Sequence, residues 1–148
     1  MKVLIGVDDS PHSAAAIGYV ARAAWPEGAK FLVLSAVAPI FVGPGEIEAP
    51  DAIAQLMKEQ EKYHKVIAEG AADRLRKASL TVDARMVVGD PRAALLDAAG
   101  SEHVDLVVVG SHGRTGIKRL LLGSVATHVV THAPCSVLVV REGGAQRG

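Results

Sequence analysis

The chain has 148 residues and a mass of 15.4 kDa, which is the size of one domain. Hydrophobic residues make up 49% of it and charged residues 22%, a globular composition that excludes a disordered or fibrous protein. Sixteen basic and sixteen acidic side chains cancel, and only 3% of the residues are aromatic. A broad nucleic-acid-binding face and stacking platforms for single strands are therefore disfavoured.

Neither a membrane segment nor a signal peptide is predicted. No apolar run approaches the roughly 20 residues that cross a bilayer. The N-terminal stretch turns acidic at Asp8, before it reaches the length of a signal-peptide core. The single cysteine, Cys135, excludes an internal disulfide. We therefore expect a soluble cytoplasmic protein without nucleic-acid or membrane partners.

Short β-branched runs predict five strands. They cover residues 3–7, 31–37, 81–88, 105–109 and 136–140. These runs are almost continuously apolar, so we expect strands buried on both faces, as in a parallel sheet covered by helices.

The segments between the strands have helical spacing. The predicted helices cover about 12–24, 51–77, 91–99 and 124–132, and the first and third follow the start signals Ser10-Pro11 and Asp90-Pro91. Repeated alternation of strand and helix predicts an α/β fold: a single doubly wound domain over 1–142, with a five-stranded parallel sheet and helices on both faces. Residues 143–148 are expected to form a flexible tail.

The segment after the fourth strand is rich in glycine and positive charge. Ligands of open α/β sheets bind at the carboxyl ends of the strands, and glycines 110, 113, 116 and 123 lie there, the last just before a predicted helix. Glycine lets backbone N–H groups approach an anion, and a helix N-terminus adds unpaired donors. Arg114, Lys118 and Arg119 add cations. The segment indicates a phosphate-binding site, although a tight turn with solvated basic residues remains the alternative; no Walker A motif is present.

The spacing Gly110-x2-Gly113-x9-Gly123-Ser124 resembles the nucleotide-binding signature of the universal stress protein family. The resemblance extends to Val7-Asp8-x-Ser10, to Gly89-Asp90-Pro91 and to residues 132–140, each at its expected junction. It implies an adenine nucleotide alpha hydrolase-like fold and a dimer. Because the glycine and serine pattern is complete, it also implies the branch that binds ATP.

The resemblance assigns roles within a nucleotide site. Gly110 and Gly113 would let the loop wrap the phosphates, and Asp8 would accept hydrogen bonds from the ribose hydroxyls. Main-chain groups near Ala36 would read the adenine edge, where this sequence has Ser35-Ala36 and relatives often have a His-Val pair. The residues assigned to the site are Val7, Asp8, Ala36, Val109, Gly110, Ser111, His112, Gly113, Arg114, Gly123, Ser124 and Val125.

The connection 38–50, three histidines and the cysteine are the remaining features of the sequence that invite a functional interpretation. The long connection 38–50 is either a lid over the base or a stiff surface bridge. His128 and His132 have metal-binding spacing but no third ligand nearby, so we expect a solvated or interface pair. His112 is expected to shape the glycine loop, and Cys135 to behave as a small buried hydrophobe.

The resemblance implies dimerisation through Val137, Leu138, Val139 and Val140 in the last strand, which we expect at a sheet edge. The alternative is an edge that the residues after the strand protect from pairing with another chain.

We expect an ATP-binding stress or signalling module, with at most slow hydrolysis because no general base or complete metal site is evident; Mg²⁺ can accompany the phosphates. The alternatives are a dimeric interaction protein without nucleotide, an AMP or cyclic AMP sensor, and a nucleotide-dependent transferase.

Overall fold

Strands and helices alternate through the part of the chain that the structure describes. The computed structural model describes residues 1–45, 49–113 and 121–143. Its elements are β1 (Lys2–Gly6), α1 (Pro11–Arg22), β2 (Lys30–Val37), α2 (Pro50–Lys77), β3 (Thr81–Val88), α3 (Pro91–Ser101), β4 (Leu106–Gly110), α4 (Ser124–His132) and β5 (Ser136–Val140). The bounds of β3, α4 and β5 are those predicted, and the other elements differ from prediction by one or two residues. Most of the predicted tail lies outside the described residues.

The five strands form one parallel sheet in the order β3-β2-β1-β4-β5. The chain builds outwards from β1 through β2 to β3, and then returns to place β4 on the other side of β1. The winding direction therefore reverses between β1 and β4, which is where open α/β sheets bind ligands. This topology confirms the predicted five-stranded parallel sheet.

Helices cover both faces of the sheet, as the doubly wound prediction requires. Ile17 of α1 and Leu75 of α2 are buried against one face. Leu95 of α3 and Val129 of α4 are buried against the other. No helix in the described ranges combines the length and apolarity needed to cross a membrane.

The prediction that the strands are buried on both faces is wrong for the two edge strands. Along β3, exposed and covered residues alternate as far as Met86, and Val88 is 51% exposed. Most of β5 is half-buried, and so is Cys135 just before it, where the prediction was full burial. An edge strand has a neighbour on one side only, so its side chains receive less cover than those of β1 and β4.

The predicted start signals cap α1 and α3. The Ser10 hydroxyl accepts a hydrogen bond from the Ser13 N–H at 3.1 Å, and Pro11 follows as the first helical residue. The Asp90 carboxylate accepts the Arg92 N–H at 2.8 Å. Hydrogen bonds from the Arg92 side chain and backbone lower the pKa of Asp90 from 3.8 to about 2.

Candidate functional site

A cavity of about 480 Å³ lies over the carboxyl ends of β1, β2 and β4. Its volume is within the range of small-molecule sites, about 300–1,000 Å³. Every predicted site residue that the structure describes lines this cavity, except Ser111. Arg114, with the other basic residues of its loop, lies outside the described residues. The tertiary structure thus brings together residues from four separate segments of the chain.

The β4 side of the cavity consists largely of closely approaching backbone. A Cβ atom on Gly110 would lie 2.7 Å from the carbonyl carbon and oxygen of His12. A Cβ on Gly123 would lie 3.0 Å from the Cα of His112, and the Gly123 N–H donates to the Ser111 carbonyl at 2.6 Å. None of these glycines has a positive φ. Their first role is therefore to let segments of backbone meet and shape this end of the cavity.

Helix α4 begins at this end without a side-chain cap. Its N-cap is Gly123, which has no side chain, whereas α1 and α3 are capped by Ser10 and Asp90. The first-turn residues Ser124 and Val125 line the cavity. The N–H groups of a first helical turn have no partners within the helix and favour negative charge. This end can therefore accept an anionic group.

Asp8 lies between the β1 turn and the β4 loop. Its N–H donates to the Ser13 hydroxyl at 3.1 Å, and its Oδ1 accepts the Ser10 N–H at 2.9 Å. Its Oδ2 is directed towards Gly113, where a Cβ atom would lie 3.1 Å away. The first hydrogen bond fixes the backbone of Asp8, and the second holds its carboxylate at the cavity wall, where it can accept hydrogen bonds from a ligand hydroxyl.

Ser111 is buried beside the cavity rather than in its lining. Its hydroxyl lies 3.1 Å from Nδ1 of His112 and 3.4 Å from Nδ1 of His12. Its N–H donates to the Val140 carbonyl at 2.8 Å, which ties the loop to β5. The two imidazole rings have centroids 5.1 Å apart. Ser111 therefore contacts the layer behind the cavity wall, while His112 reaches the wall itself.

The β2 side of the cavity is mostly aliphatic. Leu34, Ala36 and Ala38 line it from alternate positions of β2 and the residue after it, and Pro91 and Leu95 line it from α3. The sequence prediction included Ala36 alone from this set. The period-two spacing along β2 and the Asp90-Pro91 turn were signals that could have revealed the others.

His64 also lines the cavity, and no local signal in the sequence indicated it. It lies in the middle of α2, with its imidazole buried, and its Nδ1 is 2.8 Å from the Ser35 hydroxyl. Gly6, Ser13 and Ala126 also line the cavity and were not predicted. Their positions follow from packing between segments that are distant in the sequence.

The described residues contain no cluster of three or more metal-ligating side chains. The rings of His128 and His132 lie 4.4 Å apart, and Nδ1 of His132 is 3.0 Å from the His128 carbonyl oxygen, in a pair at the surface of α4. Asp8 is the one carboxylate among the described lining residues. That donor set suits a Mg²⁺ ion held mainly through the phosphates of a ligand.

The connection after β2 contributes Ala38 to the cavity and directs Phe41 outwards, with 90% of its side chain exposed. The Ile40 N–H donates to the Met57 sulfur at 3.4 Å, which anchors the connection to α2. Residues 46–48 lie outside the described part of the chain. The lid and the bridge therefore both remain interpretations of this segment.

Comparison with known proteins decides the family. The model of the universal stress protein family matches residues 1–141. The chain belongs to this family. A universal stress protein of Thermus aquaticus, encoded in the QAH/OAS sulfhydrylase 3′ region, is 34% identical over 139 residues, which cover 94% of this chain and 97% of that protein. The predicted resemblance is thereby confirmed.

Solved structures of universal stress proteins share the fold. Protein MJ0577 of Methanocaldococcus jannaschii superimposes with a TM-score of 0.84 at 26% identity, covering 97% of both chains. A universal stress protein in complex with cAMP has a TM-score of 0.65 at 29% identity, covering 97% of this chain and 98% of that one. The described part of this chain therefore has the fold of these solved structures.

Proposed function

We propose that this universal stress protein binds ATP at the cavity and acts as a nucleotide-responsive stress or signalling module. The observation that carries the proposal is the cavity's division into two chemically different ends. Uncapped helix donors and close-packed glycine backbone form the β4 end, and aliphatic side chains form the β2 end. The anionic phosphates of a nucleotide require the donors of the β4 end, and its planar base requires the aliphatic surface of the β2 end.

At the β4 end, the phosphates would bind to backbone N–H groups at the start of α4 and along the loop after Gly110. Hydrogen bonds to charged groups contribute about 1.5–3 kcal/mol each. A micromolar complex requires about 8 kcal/mol net of association costs, so four or five such contacts and a buried base suffice. Mg²⁺ would accompany the phosphates, with Asp8 as the nearby carboxylate.

At the β2 end, the base would lie between Ala36 on one side and Val109 on the other, with Leu95 beneath. Burial of a base against aliphatic side chains contributes roughly 25 cal/mol per Å² of apolar surface. Asp8, between the two ends, would accept hydrogen bonds from the ribose hydroxyls. The base and ribose would then lie over the ends of the strands, with the phosphates at the start of α4.

A second candidate is a sensor of cyclic AMP or AMP. The observation that favours it is the relative at 29% identity whose structure contains cAMP. The same base end would serve both ligand classes, and they would differ at the β4 end. A cyclic phosphate leaves the second and third phosphate positions of ATP unused.

The decisive experiment measures binding of ATP, AMP and cyclic AMP by calorimetry, with and without Mg²⁺, to protein freed of any co-purified small molecule. The material released on denaturation is identified by chromatography. ATP binding that is tighter than AMP and cyclic AMP binding supports the proposal, and a preference for cyclic AMP supports the sensor. Flat calorimetry with all three contradicts both and leaves an interaction protein without nucleotide.

The variant Asp8→Asn tests the ribose contact. Replacing the carboxylate with an amide removes a charged acceptor, so we expect affinity to fall roughly 10- to 150-fold. Asp9→Asn is the matched control, because Asp9 is exposed and outside the cavity lining, and an amide oxygen there can still accept the Tyr63 hydroxyl, now at 2.7 Å from the carboxylate. Equal affinities of the two variants would exclude Asp8 from the site.

We also propose that the chain dimerises through the open edge of β5, which lies at the end of the sheet. Half-buried Val137, Leu138 and Val139, together with the position of β5 at the end of the strand order, support the proposal. Val137→Lys should reduce the dimer fraction in sedimentation velocity, while Val88→Lys on the opposite edge strand should not. A monomeric parent chain would contradict the proposal.

A further inference from the structure

Helix α4 carries a pair of histidines outside the cavity. His128 and His132 are four positions apart, so they lie on the same side of the helix, one turn from each other. Their ring centroids are 4.4 Å apart, and the ring planes are inclined by 33°. His128 is half-buried and His132 is exposed, so solvent reaches both residues. The helix backbone therefore holds two metal-ligating side chains together at the surface.

The hydrogen bond of the His132 ring determines which of its nitrogens can bind an ion. Its Nδ1 lies 3.0 Å from the His128 carbonyl oxygen. A carbonyl oxygen only accepts hydrogen bonds, so Nδ1 carries the proton and donates it. In the neutral ring, Nε2 then has a lone pair. Metal-ligating histidines commonly donate their other ring N–H to a backbone carbonyl in this way, which fixes the tautomer and orients the ring.

Both the spacing of the rings and their place on α4 suit a cation. An imidazole nitrogen lies about 2.0–2.1 Å from a bound divalent ion, so two nitrogens on one ion are at most about 4.2 Å apart. Rings with centroids 4.4 Å apart can each place a nitrogen on the same ion. The pair also lies at the carboxyl end of α4, which ends at His132. The last carbonyl groups of a helix carry partial negative charge and favour cations.

The number of protein ligands decides the kind of ion. Structural zinc sites use four protein ligands and catalytic zinc sites use three, whereas the described residues offer no third ligand to this pair. Cu²⁺ and Ni²⁺ accept imidazole nitrogen and water in a tetragonal arrangement, and Cu²⁺ binds most tightly among the first-row divalent ions. We propose that His128 and His132 form a surface site for a late transition-metal ion, filled best by Cu²⁺, with water in the remaining positions. Neither residue lines the cavity, so this site is independent of the proposed nucleotide binding.

Loss of either imidazole should weaken Cu²⁺ binding by at least about 10-fold. Loss of a residue that merely orients a ligand already costs roughly 10- to 100-fold in metal affinity, and here a ligand itself is lost. His128→Gln and His132→Gln each leave one imidazole, so the two losses should be similar. Removing both histidines should weaken binding by less than the product of the two losses, because either single change already breaks the chelate.

The test is a calorimetric titration of Cu²⁺ into the full chain at about pH 7.5, where an unperturbed imidazole is neutral, after removal of any co-purified nucleotide. Substoichiometric Cu²⁺ then locates the site in an NMR spectrum, because its unpaired electron broadens the resonances of nearby amides. We expect the broadening to begin at residues 127–133. This measurement separates the pair from other groups that can hold Cu²⁺, such as the N-terminal amine and the rings of His12 and His112, whose centroids are 5.1 Å apart.

The matched control combines Val130→His with His132→Gln. It keeps two histidines on α4 but places them two positions apart, on different sides of the helix. Val130 is 49% exposed, so the larger ring can be accommodated there. This variant should bind Cu²⁺ as weakly as His132→Gln does. His103→Asn removes an exposed histidine elsewhere in the chain and should bind as the parent does.

Unchanged Cu²⁺ affinity in His132→Gln overturns the inference, and so does broadening centred on another part of the chain or the absence of binding to the parent. A control with separated histidines that binds as tightly as the parent also overturns it, because histidine content rather than ring spacing would then be responsible. If His128→Gln does not fold, His132→Gln at its exposed position decides alone. A loss of affinity in the folded single variants, with broadening at the end of α4, supports the inference.

Discussion

Gly110→Ala is predicted to destabilise the fold through a backbone collision. Gly110 ends β4, and the first turn of α1 crosses directly over it. An added Cβ atom would lie 2.7 Å from both the carbonyl carbon and the oxygen of His12, where ordinary contacts begin at 3.4 Å. Helix α1 would have to move by about 0.7 Å at this point. Both obstructing atoms belong to the backbone, so no change of rotamer can relieve the contact.

Overpacking of this kind costs about 1–3 kcal/mol. The rigid backbone contact places Gly110→Ala in the upper half of that range, at about 2–3 kcal/mol of unfolding free energy. For a domain of this size, the melting temperature should fall by roughly 4–12 °C. Urea unfolding followed by far-ultraviolet circular dichroism gives the free energy, and a thermal scan gives the melting temperature.

Gly70→Ala is the matched control for this measurement. Gly70 lies inside α2, and an added Cβ there has no atom within 4 Å. Alanine is favoured over glycine inside a helix, so this variant should gain about 0.5–1 kcal/mol. If Gly110→Ala proves as stable as Gly70→Ala, the close approach of α1 to β4 is not what requires glycine, and the reasoning fails.

Two further predictions concern charge and the core. Hydrogen bonds from Lys2 and then Arg85 lower the pKa of Glu102 from 4.5 to about 2, so this carboxylate stabilises the fold above about pH 4.5 and loses that effect as the pH falls through 2. Unfolding free energy measured from pH 6 to pH 2 should therefore decline less in Glu102→Gln than in the parent chain, and equal slopes would contradict this. Leu75→Ala, at a fully buried position, should cost about 2–5 kcal/mol in urea unfolding, and a loss below 1 kcal/mol would show that the site collapses around the missing atoms.

Local pattern was sufficient to predict the secondary structure. Apolar β-branched runs and helical spacing are properties of neighbouring residues, and the caps at Ser10 and Asp90 act within one turn of their helices. The sequence also predicted which residues lie at the ligand-binding edge of the sheet, because the carboxyl ends of parallel strands meet at one edge whatever the strand order. For that reason Asp8, Ala36 and the glycine segment after Val109 could be expected together before their distances were known.

Only the tertiary structure decided what the glycines contact and which residue from α2 enters the cavity. Gly110 meets His12, nearly a hundred positions earlier in the chain, because the sheet places β4 beside β1 and α1 over both. His64 reaches the cavity because α2 packs against β2 at Ser35. Such contacts depend on strand order and helix packing, which sum many weak interactions between distant segments, so no short stretch of sequence contains them. The exposure of β3 and β5 has the same origin, since a strand's cover depends on its neighbours rather than on its own residues.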